Sequence, residues 1–397
     1  MDELAINGGK PVREHKIFYG HQYIDNNDIE AVVNVLKSDF LTCGPEISEL
    51  ERKLCDITGA KYAVVVSNGT AALHGACYAS GIREGDEVIT TPMTFAASAN
   101  CVLYCGAKPV FADIRPDTYN IDPEDIKRKI TDRTKAVVAV DFTGQVVQLD
   151  EIRKICDEND LILIEDGAHS IGTKYKGVPV GQIADFTTFS FHPVKTVTGG
   201  EGGAVLTNNK EFYEKLILFR AHGITRNETL MCNRSEGGWY YEQVELGYNF
   251  RMTDMQAALI YSQLDKLDLF KKRRVAITEQ YNMAFAQIPE IILQNEIVDS
   301  DTVRHLYIIQ LETERLKATR KDIYDALMAE NVCCNVHYIP TYYFPYYQKL
   351  GYQKGLCPVA ENLYERELTL PLFFGMTDDD VQSVIDAVTK VIQYYRV

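Results

Sequence analysis

The chain has 397 residues, and its 41 lysines and arginines against 56 aspartates and glutamates give a formal net charge of −15. This balance argues against a nucleic-acid-binding protein, because such proteins neutralise phosphate backbones with clustered Lys and Arg. The hydrophobic fraction of 46% is ample for buried cores, and at about 150 residues per domain the length predicts two or three domains.

The sequence predicts a cytoplasmic protein with no membrane partner and no bound metal. There is no run of about 18 apolar residues, and the N-terminus, MDELAINGGKPVREHK, lacks the charged and apolar regions of a secretory signal. The ten cysteines are scattered, without CxxC or zinc-like spacing. We therefore expect reduced thiols.

From about residue 60, short apolar runs alternate with amphipathic stretches, which indicates a mostly parallel sheet flanked by helices. Strands are predicted at 62–66, 87–90, 110–113, 136–140, 161–165, 186–191 and 203–206. Helices are predicted at 70–80, 96–104, 123–130 and 149–158. These elements predict a large α/β domain over residues 1–252, with an N-terminal arm and a seven-stranded sheet.

After Arg251 the pattern changes to a helical one. Residues 253–285 predict one long spacer helix, because apolar residues recur along one face. A smaller α+β domain is predicted over the C-terminal part, 253–397. After the spacer helix it would hold a strand at 305–310, a helix at 320–330, a strand at 333–336, a Tyr-rich loop and a closing helix at 378–394.

The segment SFHPVKTVTGGEGG, residues 190–203, places Lys195 just past a predicted strand and ahead of four glycines. A backbone without side chains can approach a ligand closely, and an amine at this point can meet a carbonyl group. A glycine-rich turn with a solvated lysine explains the pattern alone equally well.

Two other predicted strand ends carry polar residues. Ser67-Asn68-Gly69-Thr70 opens a helix, whose unpaired N–H groups and positive dipole end suit a phosphate. Glu165-Asp166 ends a buried strand, where open α/β sheets place ligands. Either segment alone could be an ordinary capping turn.

The three signals together predict a pyridoxal phosphate site. A helix N-terminus anchors the phosphate, the carboxylate of Asp166 holds a proton on the pyridine nitrogen, and Lys195 supplies the Schiff-base amine. One cofactor site is favoured over a glycine-rich turn and two unrelated capping turns. Without a cofactor, three independent motifs would have to occur by chance at the ends of predicted strands.

In these segments the chain resembles the DegT/DnrJ-type nucleotide-sugar aminotransferases, which have the fold type I, aspartate-aminotransferase-like architecture of pyridoxal-phosphate-dependent transferases. The resemblance covers nearly the whole chain. It rests on FLTCGP (40–45), SNGTAAL (67–73), TPMTF (91–95), EDGAH (165–169), SFHPVK (190–195), EGG (201–203), FRAHG (219–223), GYNFR (247–251) and VHYIP (336–340). The chain is most similar to the members that act in pseudaminic acid biosynthesis, through Asp141 in VDFTG, where many relatives carry His, and His169, where many carry Gln.

The resemblance implies a role for each matched residue. Lys195 would carry the cofactor as a Schiff base and move a proton, Asp166 would pair with the pyridinium nitrogen, and Phe95 would stack on the ring. His169 would lie near the phenolic oxygen. The phosphate would be held by Asn68, Gly69, Thr70 and Ser190, with Asn249 of the partner subunit in a homodimer that shares its active site. The sugar-nucleotide pocket would be lined by Tyr19, Leu41, Thr42, Asn335, Val336, His337 and Tyr338.

The activity implied is transfer of an amino group from glutamate to C4 of a UDP-linked 4-keto-6-deoxy sugar, UDP-4-keto-6-deoxy-N-acetyl-β-L-altrosamine. Another nucleotide-sugar 3- or 4-aminotransferase, UDP- or dTDP-linked, stays open, as does a non-catalytic regulator that binds pyridoxal phosphate. Lys195 disfavours a related dehydratase, because that enzyme carries His at the lysine position.

Some residues also have purely structural explanations. Phe95 on a helix face is ordinarily a core residue, and His169 and His192 could be core histidines bonded to backbone. The aromatic cluster at 338–347 predicts a stacking surface for uracil or sugar, or else a packed loop or a dimer contact. Cations near the site would offset the net charge, and the candidates are Arg220, His222 and Arg251.

Overall fold

The computed structural model describes residues 3–397. The strands are β1 (Tyr62–Val66), β2 (Glu87–Thr90), β3 (Lys108–Phe111), β4 (Thr134–Val140), β5 (Ile162–Asp166), β6 (Lys174–Tyr175), β7 (Val178–Pro179), β8 (Phe186–Ser190), β9 (Gly203–Thr207), β10 (Ile224–Thr225), β11 (Glu242–Gln243), β12 (Ile291–Leu293), β13 (Ser300–Asp301), β14 (Tyr307–Leu311) and β15 (Glu367–Leu370).

The helices alternate with these strands in the first half of the chain and dominate the second. They are α1 (Asn26–Leu36), α2 (Pro45–Thr58), α3 (Gly69–Ala79), α4 (Ala97–Tyr104), α5 (Pro123–Lys129), α6 (Leu149–Glu158), α7 (Lys210–Arg220), α8 (Asp254–Leu264), α9 (Leu267–Phe285), α10 (Arg320–Ala329), α11 (Pro345–Lys349), α12 (Pro358–Arg366) and α13 (Asp378–Tyr395).

The central sheet has seven strands within residues 3–397, in the order β1-β9-β8-β5-β4-β2-β3. Strand β9 runs antiparallel to both of its neighbours, β1 and β8. The other pairs are parallel. The predicted α/β class with a mostly parallel seven-stranded sheet is confirmed, with strand ends shifted by one or two residues in places.

Helices cover both faces of this sheet, so its strands are buried on both sides. Along β1, Ala63 and Val65 face a core shared with α2, α6 and α8. Val64 and Val66 face the opposite core, shared with α3, α4 and α7. This double burial explains why the strands are nearly continuous apolar runs.

A separate C-terminal core lies between a small antiparallel sheet, in the order β12-β14-β15, and helices α9, α10 and α13. Leu4 and Ile17 of the N-terminal arm also pack into this C-terminal core. The sequence grouped the arm with residues 1–252, and the domain boundary after residue 252 stays a prediction.

Two predicted elements of the second half are wrong. The single helix at 253–285 is two helices, α8 and α9, with Asp265 and Lys266 between them. The strand at 333–336 is absent from the described structure, where Asn335 forms only an isolated bridge to Thr369. The third strand of the small sheet is instead β15, four residues directly after a helix, too short for its alternation to stand out.

Within residues 3–397, no helix combines the length and the apolar character needed to cross a membrane. The cysteines in this range are all free thiols. Most of them are buried or half-buried, and four lie on helices α2, α3, α4 and α6.

Glu330 fastens the N-terminal arm to the C-terminal core. Its fully buried carboxylate accepts hydrogen bonds from the backbone N–H groups of Ala5 and Val12, each at 2.9 Å, and pairs with Lys390 at 2.9 Å. Replacing Glu330 with Ala leaves these donors unpaired, so we expect a loss of about 3 kcal/mol of stability. Thermal unfolding and faster hydrogen exchange of residues 4–17 would report it.

Glu314→Ala is the matched control for this change, because Glu314 is exposed. We expect it to leave both measurements at the wild-type values. Unchanged exchange of residues 4–17 in Glu330→Ala would contradict the anchoring role.

Candidate active site

Most of the predicted site residues meet at the carboxyl edge of the central sheet, where parallel strands place their following loops together. Strand β1 leads into the turn that opens α3, β5 ends on Asp166 and β8 ends on Ser190. Lys195 lies in the loop after β8. The topology therefore brings the three sequence signals to one place.

The turn before α3 forms a cradle that fits a phosphate. Asn68 caps the helix, and its side chain accepts a hydrogen bond from the N–H of Ala71 at 2.8 Å. A Cβ on Gly69 would lie 2.8 Å from the Cβ of Ser190, so glycine lets the helix N-terminus approach that serine. The N–H groups of the first helical turn have no partner within the helix. They and Ser190 could hold an anion.

Asp166 is buried at the end of β5. Its carboxylate accepts hydrogen bonds from the hydroxyl of Ser98 at 2.6 Å and from the N–H of Ala168 at 3.2 Å. Burial raises the pKa of Asp166, and these two hydrogen bonds and the charge of Lys195 oppose the rise. A cation brought to this carboxyl, such as a pyridinium, would favour its ionised form further.

Lys195 is held where water solvates its amine poorly. Desolvation lowers the pKa of Lys195 to about 8, while the charge of Asp166 acts in the opposite direction. The neutral amine is therefore far more populated near neutral pH than in an exposed lysine. Only this form can attack a carbonyl carbon or accept a proton.

Three buried histidines lie near Lys195, and all three are neutral. The ring centroids of His169 and His305 are 4.5 Å apart, and Nε2 of His169 lies 3.3 Å from the hydroxyl of Tyr338. Desolvation first, and then the charge of Lys195, lowers the pKa of each imidazole, that of His337 to about 3. His305 was missed from the sequence, because it precedes β14 in a segment with no recognisable motif.

Phe95 and His192 are not core residues, which removes the structural explanations given for them. Phe95 is 65% exposed, and its ring centroid lies 6.5 Å from that of Tyr338. His192 is exposed as well. An exposed phenylalanine beside the site has an open face on which a flat ring could stack.

The predicted substrate residues divide into two groups. Tyr19 lies 5.3 Å from His337 between ring centroids, and the segment 335–338 adjoins the site through Tyr338. Leu41 and Thr42 are exposed and lie against the start of α8, where the carbonyl of Leu41 accepts from the N–H of Asp254 at 3.0 Å.

Asn249 is also exposed, on a bridge to Ala221. Within residues 3–397 no hydrogen bond joins Asn249, Leu41 or Thr42 to Lys195 or Asp166. These three residues do not complete the site through contacts inside one protomer.

One further expectation needs correction. Arg220 is not a cation facing the site, because its guanidinium is bound by the carboxylate of Glu51 and the carbonyl of Val65. In the Tyr-rich segment two residues are packed, as one of the alternatives left open by the sequence predicts. Tyr342 and Tyr347 are buried, with their hydroxyls donating to Glu361 and Asn100 at 2.6 and 2.7 Å.

The fold and the site together define a class of protein. Helices on both faces of a mostly parallel seven-stranded sheet, with a lysine, an acid and a helix N-terminus at its carboxyl edge, make up a fold type I pyridoxal-phosphate-dependent transferase. The sequence matches the model of the DegT/DnrJ/EryC1/StrS aminotransferase family over residues 22–389, and the chain belongs to this family.

Curated relatives align over almost their full length. The spore coat polysaccharide biosynthesis protein SpsC of Bacillus subtilis is 41% identical over 385 residues, 96% of this chain and 98% of the relative. The UDP-4-amino-4,6-dideoxy-N-acetyl-β-L-altrosamine transaminase of Campylobacter jejuni is 39% identical over 381 residues, 95% of this chain and 98% of the relative.

Solved structures agree with this assignment. Helicobacter pylori PseC, an aminotransferase of pseudoaminic acid biosynthesis, superposes with a TM-score of 0.89 at 32% identity, covering 96% of this chain and 100% of that one. Spr1654 of Streptococcus pneumoniae, described as a sugar aminotransferase and solved in its PLP form, also gives 0.89, at 31% identity, covering 96% and 99%. The protein is a pyridoxal-phosphate-dependent sugar aminotransferase, as the sequence predicted.

The described residues fit this cofactor. The Gly69 cradle suits its phosphate, and Asp166 suits its pyridine nitrogen. His169 carries a buried Nδ1 with no hydrogen-bond partner among residues 3–397. An unsatisfied imidazole nitrogen of this kind is available to a polar group of the cofactor.

Cofactor uptake should follow the neutral fraction of Lys195. Because desolvation lowers the pKa of Lys195 to about 8, the rate at which cofactor-free protein binds pyridoxal phosphate should rise with pH to a plateau with its midpoint near that value. The charge of Asp166 raises the pKa of Lys195, so Asp166→Asn should move the midpoint to lower pH. Stopped-flow visible absorbance measures both.

Asp150→Asn, which changes a surface carboxylate bound to Lys176, serves as the control and should leave the midpoint in place. A wild-type midpoint of about 10, as for an exposed lysine, would contradict the desolvation of Lys195.

Proposed function

We propose that the protein transfers the amino group of glutamate to C4 of UDP-4-keto-6-deoxy-N-acetyl-β-L-altrosamine, in pseudaminic acid biosynthesis. The observation that carries the aminotransferase chemistry is the partly neutral Lys195 next to the buried carboxyl of Asp166. The sugar and the attacked carbon are supported by the Campylobacter jejuni transaminase and by PseC, which the chain resembles over nearly its whole length.

Pyridoxal phosphate, when bound, supplies an electron sink for the carbanion formed at the amino carbon. In this proposal Lys195 first provides the amine that holds the cofactor. Once displaced by the amino donor, Lys195 accepts a proton from the donor's α-carbon and later returns one to C4 of the sugar. Asp166 keeps the pyridine nitrogen protonated. Gly69, Thr70 and Ser190 hold the phosphate, with Asn68 shaping the turn as its cap.

The character of the surrounding side chains supports a sugar as acceptor. His169, His305 and His337 are neutral because burial and Lys195 disfavour their charged forms. Neutral imidazoles and the hydroxyl of Tyr338 can form hydrogen bonds with hydroxyl, keto and N-acetyl groups. They carry no positive charge that would favour an anionic ligand instead. A keto sugar ring next to Lys195 meets these requirements.

A homodimer with a shared active site is the assembly that we propose. Phe40, Leu41 and Leu246 are 53%, 48% and 77% exposed, in the segments that also carry Thr42 and Asn249. Exposed apolar side chains such as these indicate a surface for another protein. A second copy would cover them and bring Asn249 of the partner subunit to the phosphate cradle. We also propose a cytoplasmic location, which the free cysteines support.

Another nucleotide-sugar aminotransferase remains the competing assignment, acting at C3 or C4 of a UDP- or dTDP-linked keto sugar. The Bacillus subtilis relative is slightly more similar than the Campylobacter jejuni one, and its name specifies a polysaccharide pathway without a substrate. A non-catalytic regulator is disfavoured, because Lys195 and Asp166 are both present and the charge of Lys195 lowers the pKa of Asp166.

The acceptor should be identified by loading the protein with pyridoxamine phosphate and adding UDP- and dTDP-linked 4-keto and 3-keto sugars one at a time. We expect the visible absorbance of the lysine-bound cofactor to return with the UDP-linked 4-keto sugar alone. Recovery with a 3-keto or a dTDP-linked sugar instead would contradict the proposed substrate. Lys195→Ala should lose both this recovery and turnover with glutamate, and wild-type turnover in that variant would contradict the role of the lysine.

The shared site can be tested by mixing two impaired variants, Lys195→Ala and Asn249→Ala. In a mixed dimer one site would contain both substitutions and the other neither, so activity should rise above that of either variant alone. If Asn249 serves its own protomer, mixing restores nothing. Sedimentation of each variant as a dimer controls for loss of assembly.

A further inference from the structure

Asp141 is a fully buried acid that the proposed chemistry does not use. It follows strand β4, next to the end of β5. Its backbone N–H donates to the carbonyl of Asp166 at 3.1 Å, and its Oδ2 accepts from the hydroxyl of Ser170 at 2.6 Å. Its Oδ1 accepts from the N–H of Val147 at 3.1 Å. Asp141 therefore contacts both ends of the turn 166–170, which carries Asp166 and His169.

We propose that Asp141 is a positioning residue for the cofactor site: it clamps the two ends of the turn 166–170 and so fixes the carboxylate of Asp166 and the imidazole of His169. This inference rests on the role proposed for Asp166. A carboxylate that must meet a ring nitrogen tolerates little displacement, and buried hydrogen bonds behind such a group set its position.

The segment that carries Asp141 makes close contacts with two other parts of the chain. The carbonyl of Thr143 accepts from the N–H of His305 at 2.7 Å. A Cβ on Gly144 would lie 2.1 Å from the carbonyl oxygen of Val303 and 2.9 Å from that of His169. The segment is thus packed between the turn 166–170 and residues 303–305. Close packing on both sides makes Asp141 a rigid support.

The charge state of Asp141 suits this position. Burial, followed by the nearby Glu165, raises the pKa of Asp141 well above its ordinary value. Burial also raises the pKa of Glu165 to about 7, and Glu165 accepts a hydrogen bond from Thr187 at 2.7 Å. The raised pKa of Asp141 disfavours its charged form, and so disfavours a second negative charge beside Asp166.

The test compares Ser170→Ala and Asp141→Ala with Ser262→Ala. Ser262 is the matched control, because its hydroxyl donates to the buried Asp28 at 2.7 Å, away from the site. We measure the dissociation constant for pyridoxal phosphate and the pH midpoint of its visible absorbance in the full-length protein. Loss of one hydrogen bond to a buried acid corresponds to about 10-fold weaker cofactor binding.

We expect weaker cofactor binding and a shifted midpoint in Ser170→Ala and Asp141→Ala, with Ser262→Ala at wild-type values. Asp141→Asn should restore both readouts, since its amide can accept from Val147 and pair with Ser170. Wild-type affinity in Ser170→Ala, or an equal loss in Ser262→Ala, would overturn the positioning role. Asp166→Asn is the reference: if cofactor binding is unchanged there too, the role of Asp166 has failed as well.

Discussion

The desolvation of Lys195 beside Asp166 is the interaction on which the site depends. An amine in water is almost fully protonated at neutral pH and cannot act as a nucleophile or a base. Burial lowers the pKa of Lys195 to about 8, and Asp166 limits the fall. The opposed effects leave a lysine that is neutral often enough to react, next to an acid that can pair with a pyridinium. Burial, and then the charge of Lys195, also lowers the pKa of His305 and of His337, so their neutral forms are favoured.

The sheet is what gathers these groups. Parallel strands deliver the phosphate turn, Asp166 and Lys195 to one edge, and the single antiparallel strand, β9, closes the sheet between β1 and β8. A Cβ on Gly203 at the start of β9 would lie 2.3 Å from the carbonyl oxygen of Asn68. Gly203 therefore lets the backbone of β9 pack closely against the turn that contains Asn68. The glycines after Lys195 are thus not all explained by the approach of a ligand.

The strands that are buried on both faces were predictable from the sequence, because a short continuous apolar run such as residues 136–140 is typical of a strand in the middle of a covered sheet. The short strand β15 was not, because four residues after a helix carry too little alternation. The break between α8 and α9 was hidden by an apolar stripe that continues through it. In the site, most residues predicted from ordered motifs lie at the carboxyl edge of the sheet, while His305 is brought there only by tertiary packing. The hydroxyls of Tyr342 and Tyr347 donate to Glu361 and Asn100, partners that no local pattern reveals.

Despite the net charge of −15, the start of α3 offers oriented N–H groups to a phosphate, while Arg220 is bound by Glu51 and does not face the site. The central claim, that Asp166 holds a proton on the cofactor opposite Lys195, is tested most directly by the ¹⁵N NMR shift of pyridoxal phosphate labelled at its pyridine nitrogen and bound to the protein. The account predicts the shift of a protonated nitrogen across neutral pH. The shift of an unprotonated nitrogen would contradict it.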